Sequence, residues 1–129
     1  MPHLTHSPPA KQVLLIEDDE DVRRSLTLLL RSWGYTVDVF RNGMELLGLR
    51  HLPSPDCLII DYKMPHLDGL DLLRQLRIGG MVMPAILITG FYSTSLAERA
   101  KRLGYCSVIE KPTVNPDLQS ALRAQIGPG

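Results

Sequence analysis

Chemically capable side chains in this sequence gather at the ends of short apolar runs. Val13–Ile16 runs into Glu17-Asp18-Asp19, Leu58–Ile60 into Asp61, Ala85–Ile88 into Thr89-Gly90, and Ser107–Ile109 into Glu110-Lys111-Pro112. Carboxylates about 4 Å apart repel by roughly 4 kcal/mol at an effective dielectric near 20. A knot of acids after a buried strand therefore either opens a solvated helix or asks for a cation. The donors on offer are oxygens, with no thiolate or imidazole among them, which suits Mg²⁺ far better than zinc. A lysine, a hydroxyl and a glycine amide are groups that bind phosphoryl oxygens. The set describes Mg²⁺-assisted phosphoryl chemistry, in which the protein mostly positions groups and neutralises charge.

Such a site exists only if the chain brings these run ends to one edge. The apolar runs Val13–Ile16, Thr36–Phe40, Leu58–Ile60, Ala85–Ile88 and Ser107–Ile109 read as strands. Three of them are almost continuously apolar, as strands covered on both faces are. Helical periodicity fills the gaps. Val22, Leu26, Leu29, Leu30 and Trp33 form one stripe, closed by Gly34. Asn42-Gly43 opens a weaker helix through Met44 and Leu47, ended by Pro53. Leu70, Leu73 and Leu76 form a third stripe, stopped at Gly79-Gly80, and Leu96, Ala100 and Leu103 a fourth, closed by Gly104. The last starts at Asn115 as N-cap with Pro116 behind it, and its stripe is Leu118, Ala121, Leu122 and Ile126. Five β-α repeats predict a parallel five-stranded sheet with right-handed crossovers and helices on both faces. In such a doubly wound α/β sheet, ligands bind beyond the C-terminal strand ends. All four clusters lie there.

The remaining properties narrow the class. A chain of 129 residues makes one domain, read as residues 12–126 behind a loose tail at 1–11. Fourteen basic and fourteen acidic residues cancel, so no overall field advertises nucleic acid or a membrane. No apolar run approaches membrane length, and the N-terminus is not a signal peptide. Cys57 and Cys106 read as small buried hydrophobes of a cytoplasmic protein. His51 and His66 read as solvent-facing, without a metal role. Asp19, Glu20 and Asp21 read as N-terminal charges on the first helix, and Asp68-Gly69 as a turn and helix start.

These motifs resemble the receiver domain of bacterial two-component response regulators. The matching pieces are Ile16-Glu17-Asp18-Asp19, Thr89-Gly90, Lys111-Pro112 and the run Asp61-Tyr62-Lys63-Met64-Pro65-His66-Leu67-Asp68-Gly69. The last is the most specific, and the order of all four covers Lys11 to Ile126. The resemblance implies a flavodoxin-like (βα)₅ fold and makes Asp61 the phosphoacceptor, attacking a phosphohistidine of a sensor histidine kinase or phosphotransfer protein. It implies Mg²⁺ held by Asp18 and Asp61, by Glu17 through water, and by the backbone carbonyl of Lys63. Lys111 would pair with one phosphoryl oxygen, and Thr89 would bond another and swing inward on activation. A cis Lys111-Pro112 bond belongs to the same pattern. The responding face would be the fourth helix, fifth strand and fifth helix, turned toward a downstream protein. Homodimerisation on phosphorylation is left open. The protein would act by protein contact as a stand-alone regulator, not as an enzyme beyond its own phosphorylation and dephosphorylation.

Three positions depart from the pattern. Val108 stands three residues before the lysine, where many receivers carry a switching aromatic. Phe91 and Tyr92 follow Thr89-Gly90 where smaller or polar residues are common, and we take them as an aromatic surface that responds to phosphorylation. Lys63, two residues past the acceptor, is placed to shield the acyl phosphate or to pair with it. The alternative function is a receiver-like interaction module that takes no phosphate. A Mg²⁺-dependent phosphatase would want an aspartate where Lys63 stands. A flavin site would want a Ser/Thr/Gly-rich loop where the acids are.

Overall fold

The computed structural model describes residues 9–112 and 116–129. Its elements alternate throughout: β1 (Gln12–Ile16), α1 (Glu20–Ser32), β2 (Thr36–Phe40), α2 (Gly43–Leu47), β3 (Cys57–Asp61), α3 (Gly69–Ile78), β4 (Ala85–Thr89), α4 (Thr94–Leu103), β5 (Ser107–Glu110) and α5 (Pro116–Ile126). The five strands form one sheet in the order β2-β1-β3-β4-β5, and every neighbouring pair is parallel. The order reverses after β1, so the chain winds first one way and then the other. The crevice at that reversal lies between the ends of β1 and β3.

The uninterrupted apolar strands are explained by two cores, one on each face. Leu14, Ile16, Leu58, Ile60 and Leu87 point to the side closed by Leu46 of α2, Leu72, Leu73 and Leu76 of α3, and Leu96 of α4. The alternate residues Val13, Leu15, Cys57, Ile59, Ile86 and Ile88 meet Leu26 and Leu30 of α1 and Leu118 and Leu122 of α5. Successive side chains of a strand face opposite ways. A strand buried on both sides therefore loses the polar-apolar alternation of an exposed one. All five residues of β3 and of β4 are buried.

Helix starts are set by side chains that take up free backbone amides. Asp19 accepts from Val22 N at 3.0 Å, Asn42 from Glu45 N at 2.9 Å, Asp68 from Leu70 N and Asp71 N at 2.9 Å each, and Ser93 from Leu96 N at 3.0 Å. Asp19 is thus a cap, a more specific role than a charge beside the helix dipole. The expected cap Asn115 lies outside the described residues. Gly34 follows α1 at φ +94°, a left-handed conformation that suits glycine. A Cβ there would also come within 2.9 Å of the Gly129 backbone.

Two expectations change. The second helix stops at Leu47 with Gly48 as its C-cap, well before Pro53, because glycine is a poor helix former and no apolar stripe continues beyond it. Cys57 is buried as expected, but Cys106 is exposed. It sits just before β5, one of the two edge strands of the sheet.

Candidate functional site

β1, β3, β4 and β5 bring the residues at and just past their C-terminal ends to the same edge. Glu17 follows β1 and is fully buried, Asp61 ends β3 at 3% exposure, and Thr89 ends β4 with none. Backbone bonds fix the junctions: Tyr62 N donates to Ile88 O, Lys111 N to Thr89 O, and Glu17 N to Phe40 O. The cleft so formed is lined by Glu17, Asp18, Asp61, Lys63, Phe91 and Lys111, among others, with a volume of ≈ 550 Å³.

Carboxylate oxygens of Glu17, Asp18 and Asp61 converge within 4.8 Å of one another. Lys111 Nζ donates to both oxygens of Glu17 at 3.1 Å and lies 3.1 Å from Asp61 Oδ1. Lys111 is thus a tethered counter-cation between two buried acids. The Lys111-Pro112 peptide is cis, as the sequence pattern implied.

Three buried charges in one cleft disturb each other. Burial, with the Asp61 charge behind it, pushes Glu17 up to about 7 against the pull of Lys111. Burial likewise raises Asp61; Lys111 opposes it and Asp18 adds to it. Burial alone would lower Lys111, but the charges of Glu17 and Asp61 outweigh it and hold the ammonium up. Like charges that resist joint ionisation favour a bound cation. Three hard oxygen donors at this separation fit a divalent ion such as Mg²⁺.

Of the residues singled out from sequence, Glu17, Asp18, Asp61, Lys63 and Lys111 all line the cleft. Thr89 stands beside it, buried, and its hydroxyl accepts from Phe91 N at 2.9 Å. Phe91 is 66% and Tyr92 47% exposed, and Lys63 Nζ lies 4.5 Å from the Phe91 ring centre. His51 and His66 are exposed. His66 adopts φ +69° in the turn between β3 and α3.

Two contributors escaped sequence reasoning. Gly69 N donates to Tyr62 O at 2.7 Å, and a Cβ on Gly69 would lie 2.7 Å from Asp61 O. The buried Tyr105 hydroxyl then holds Gly69 O at 2.7 Å, across 36 positions of sequence. Arg23, on the first turns of α1, donates to Glu17 O at 3.0 Å and Asp18 O at 3.3 Å. Neither Tyr105 nor Arg23 has a sequence signal for this role, since a side-chain bond to a backbone carbonyl leaves no periodicity.

A doubly wound α/β domain with an acid-lysine cleft at its switch point defines the class. The family model of the response regulator receiver domain matches residues 13–123, and the chain belongs to that family. It is similar to the response regulator MprA of Mycobacterium ulcerans, 35% identical over 113 residues that cover 88% of this chain and 49% of the relative. It is similar also to the transcriptional regulatory protein FixJ of Azorhizobium caulinodans, 34% identical over 120 residues, covering 93% and 57%. The chain thus spans about half the length of these curated relatives. Among solved structures it resembles the receiver domain of a Pseudomonas aeruginosa sensor histidine kinase with a magnesium ion coordinated in its active-site cleft. The identity is 26% and the TM-score 0.80, covering 92% of this chain and 99% of that one. The chain is a receiver domain of two-component signal transduction, and the reading as a phosphate-blind module is not favoured. Among the described residues, no helix is long and apolar enough to cross a membrane.

Proposed function

We propose that Asp61 accepts a phosphoryl group from a phosphohistidine of a sensor kinase or phosphotransfer protein. One Asp61 carboxylate oxygen attacks phosphorus, the P–N bond breaks, and the imidazole leaves with its electron pair. The observation that carries this reading is the convergence of Glu17, Asp18 and Asp61 within 4.8 Å, with Lys111 at 3.1 Å from two of them. Asp18, Asp61, the Lys63 carbonyl and, through water, Glu17 would hold Mg²⁺. When bound, the ion offsets the carboxylates and draws in the incoming phosphoryl oxygens.

The chain's own residues do the rest. Lys111 keeps the acids paired at rest and exchanges Asp61 for a phosphoryl oxygen once that oxygen arrives. Thr89 gives up its bond to Phe91 N and turns its hydroxyl to another. That new contact is the differential interaction needed to shift a two-state equilibrium. Phe91 and Tyr92 supply the aromatic surface that registers the change. Partner affinity that ignores both Phe91→Ala and Tyr92→Ala would remove them from the signal. An apolar groove of ≈ 570 Å³ over Val22, Leu26 and Leu29 of α1 shares Lys111 with the cleft. It offers a docking strip beside the acceptor for the phosphohistidine-bearing partner.

The receiver unit is residues 12–126, working in the cytoplasm on a downstream protein; the expected tail at 1–11 lies mostly outside the described residues. Its only chemistry is its own phosphorylation and dephosphorylation. The test is incubation with acetyl phosphate or beryllofluoride and Mg²⁺. Adduct must form on the wild-type chain, vanish without Mg²⁺ and vanish in Asp61→Asn; an adduct that persists in Asp61→Asn overturns the assignment.

A further inference from the structure

We propose that Arg23 is a positioning residue of the metal site, acting on the backbone that carries two of its ligands. This assignment rests on the Mg²⁺ reading above. Glu17 and Asp18 are consecutive, and both must aim their carboxylates into one cleft. Consecutive side chains of an extended strand point to opposite faces, so the chain has to turn at this place for both to face the ion. One nitrogen of Arg23, Nη1, binds both carbonyls across that turn, Glu17 O at 3.0 Å and Asp18 O at 3.3 Å.

The arm starts from a fixed base. Arg23 N donates to Asp19 O at 2.8 Å, and Arg23 O accepts from Thr27 Oγ1 at 2.7 Å. Asp19 itself is the cap of α1. The acid run, the helix cap and the guanidinium therefore form one closed unit. Arg23 is half-buried, and its bond to Glu17 O is partly shielded from water and salt, whereas the bond to Asp18 O is exposed. Partners that orient a metal's ligands without touching the ion are worth about 10- to 100-fold in affinity.

Charge and geometry pull in opposite directions here, which makes the claim decidable. A cation near the site repels Mg²⁺, so if Arg23 acted through charge alone, Arg23→Gln would bind Mg²⁺ more tightly. If it positions the ligands, Arg23→Gln binds more weakly. Mg²⁺ titration of the full chain by calorimetry should show a dissociation constant raised about tenfold in Arg23→Gln, with Arg23→Lys between it and wild type. In parallel, the melting-midpoint gain from EDTA to saturating Mg²⁺ is read for each variant against its own metal-free form, which cancels a general loss of stability. Arg23→Gln that binds Mg²⁺ as tightly as wild type, or more tightly, overturns the proposal. Should Arg23→Gln not fold, Arg23→Lys carries the comparison, and equality with wild type overturns it. A wild-type chain that binds no Mg²⁺ overturns the metal reading itself, and this assignment with it.

Discussion

The Lys63 ammonium rests 4.5 Å above the Phe91 ring, joining the turn after β3 to the turn after β4 across the mouth of the acid cleft. Both residues line that cleft. An exposed cation–π contact contributes about 0.5–1 kcal/mol, a factor of roughly two to five in a rate. Lys63→Ala and Phe91→Ala should each shorten the acyl-phosphate half-life by about threefold, as water gains access to Asp61. Because the two act as one cover, the double variant should decay no faster than either single one. Single-turnover decay of the phosphorylated protein measures this, and an unchanged rate in Lys63→Ala removes the lysine from the mechanism.

The metal-free domain should lose stability as pH rises. Glu17 moves from 4.5 to about 7 on folding, chiefly through burial, and Asp61 is raised by the same cause. Between these values the folded chain binds more protons than the unfolded one, so the unfolding free energy falls with pH. The contribution of Glu17 is whole below about pH 4.5 and gone above about pH 7. Lys111, raised instead of lowered, keeps its contribution across this window and loses it only above the ordinary lysine value. In EDTA the melting midpoint is expected to drop across the window, and Glu17→Gln should flatten the curve.

The turn beneath Asp61 tolerates little change. Gly69→Ala drives a Cβ to 2.7 Å from Asp61 O and 2.8 Å from Leu87 Cδ1, and such overpacking costs about 1–3 kcal/mol. Tyr105→Phe keeps the ring but leaves Gly69 O without its donor in a buried place, a loss of about 1–3 kcal/mol. Urea unfolding should place both variants well below wild type at an unchanged m-value.

The two cysteines should separate cleanly by reactivity. A thiol reagent added to the native chain is expected to modify Cys106 quickly, since it is exposed. Cys57, which burial pushes up to about 12, should react only as the protein opens. Cys57→Ala abolishing the slow phase alone would verify the order; loss of the fast phase would reverse it.

Legibility in the sequence followed the range of the physics. Strand runs, leucine stripes and the Asp68 and Gly104 boundaries are local patterns, and the structure reproduces them. Buried strands lengthened by a residue or two, because hydrogen bonds to neighbouring strands extended Cys57–Asp61 beyond its apolar centre. The cleft residues were readable because sheet topology sends every strand end to one edge. What failed was the end of the second helix, where Gly48 stops α2 ahead of Pro53, and solvent exposure at one loop position, Cys106, which depends on tertiary cover. What stayed hidden was the bracing: Tyr105 against Gly69 and Arg23 against Glu17 and Asp18 are side-chain bonds to backbone, which leave no periodicity.

The pairing of Lys111 with Glu17 and Asp61 also sets an electrical balance. With all three acids ionised, one ammonium leaves the cleft two elementary charges short of neutrality, the amount a single divalent ion supplies. Phosphorylation of Asp61, as proposed, would replace a singly charged carboxylate by a doubly charged acyl phosphate and add one more negative charge beside Thr89 at the end of β4. On the proposed reading, the domain's message begins as one extra electron charge in a cleft floored by the buried side chains of Glu17 and Asp61, with buried Thr89 beside it.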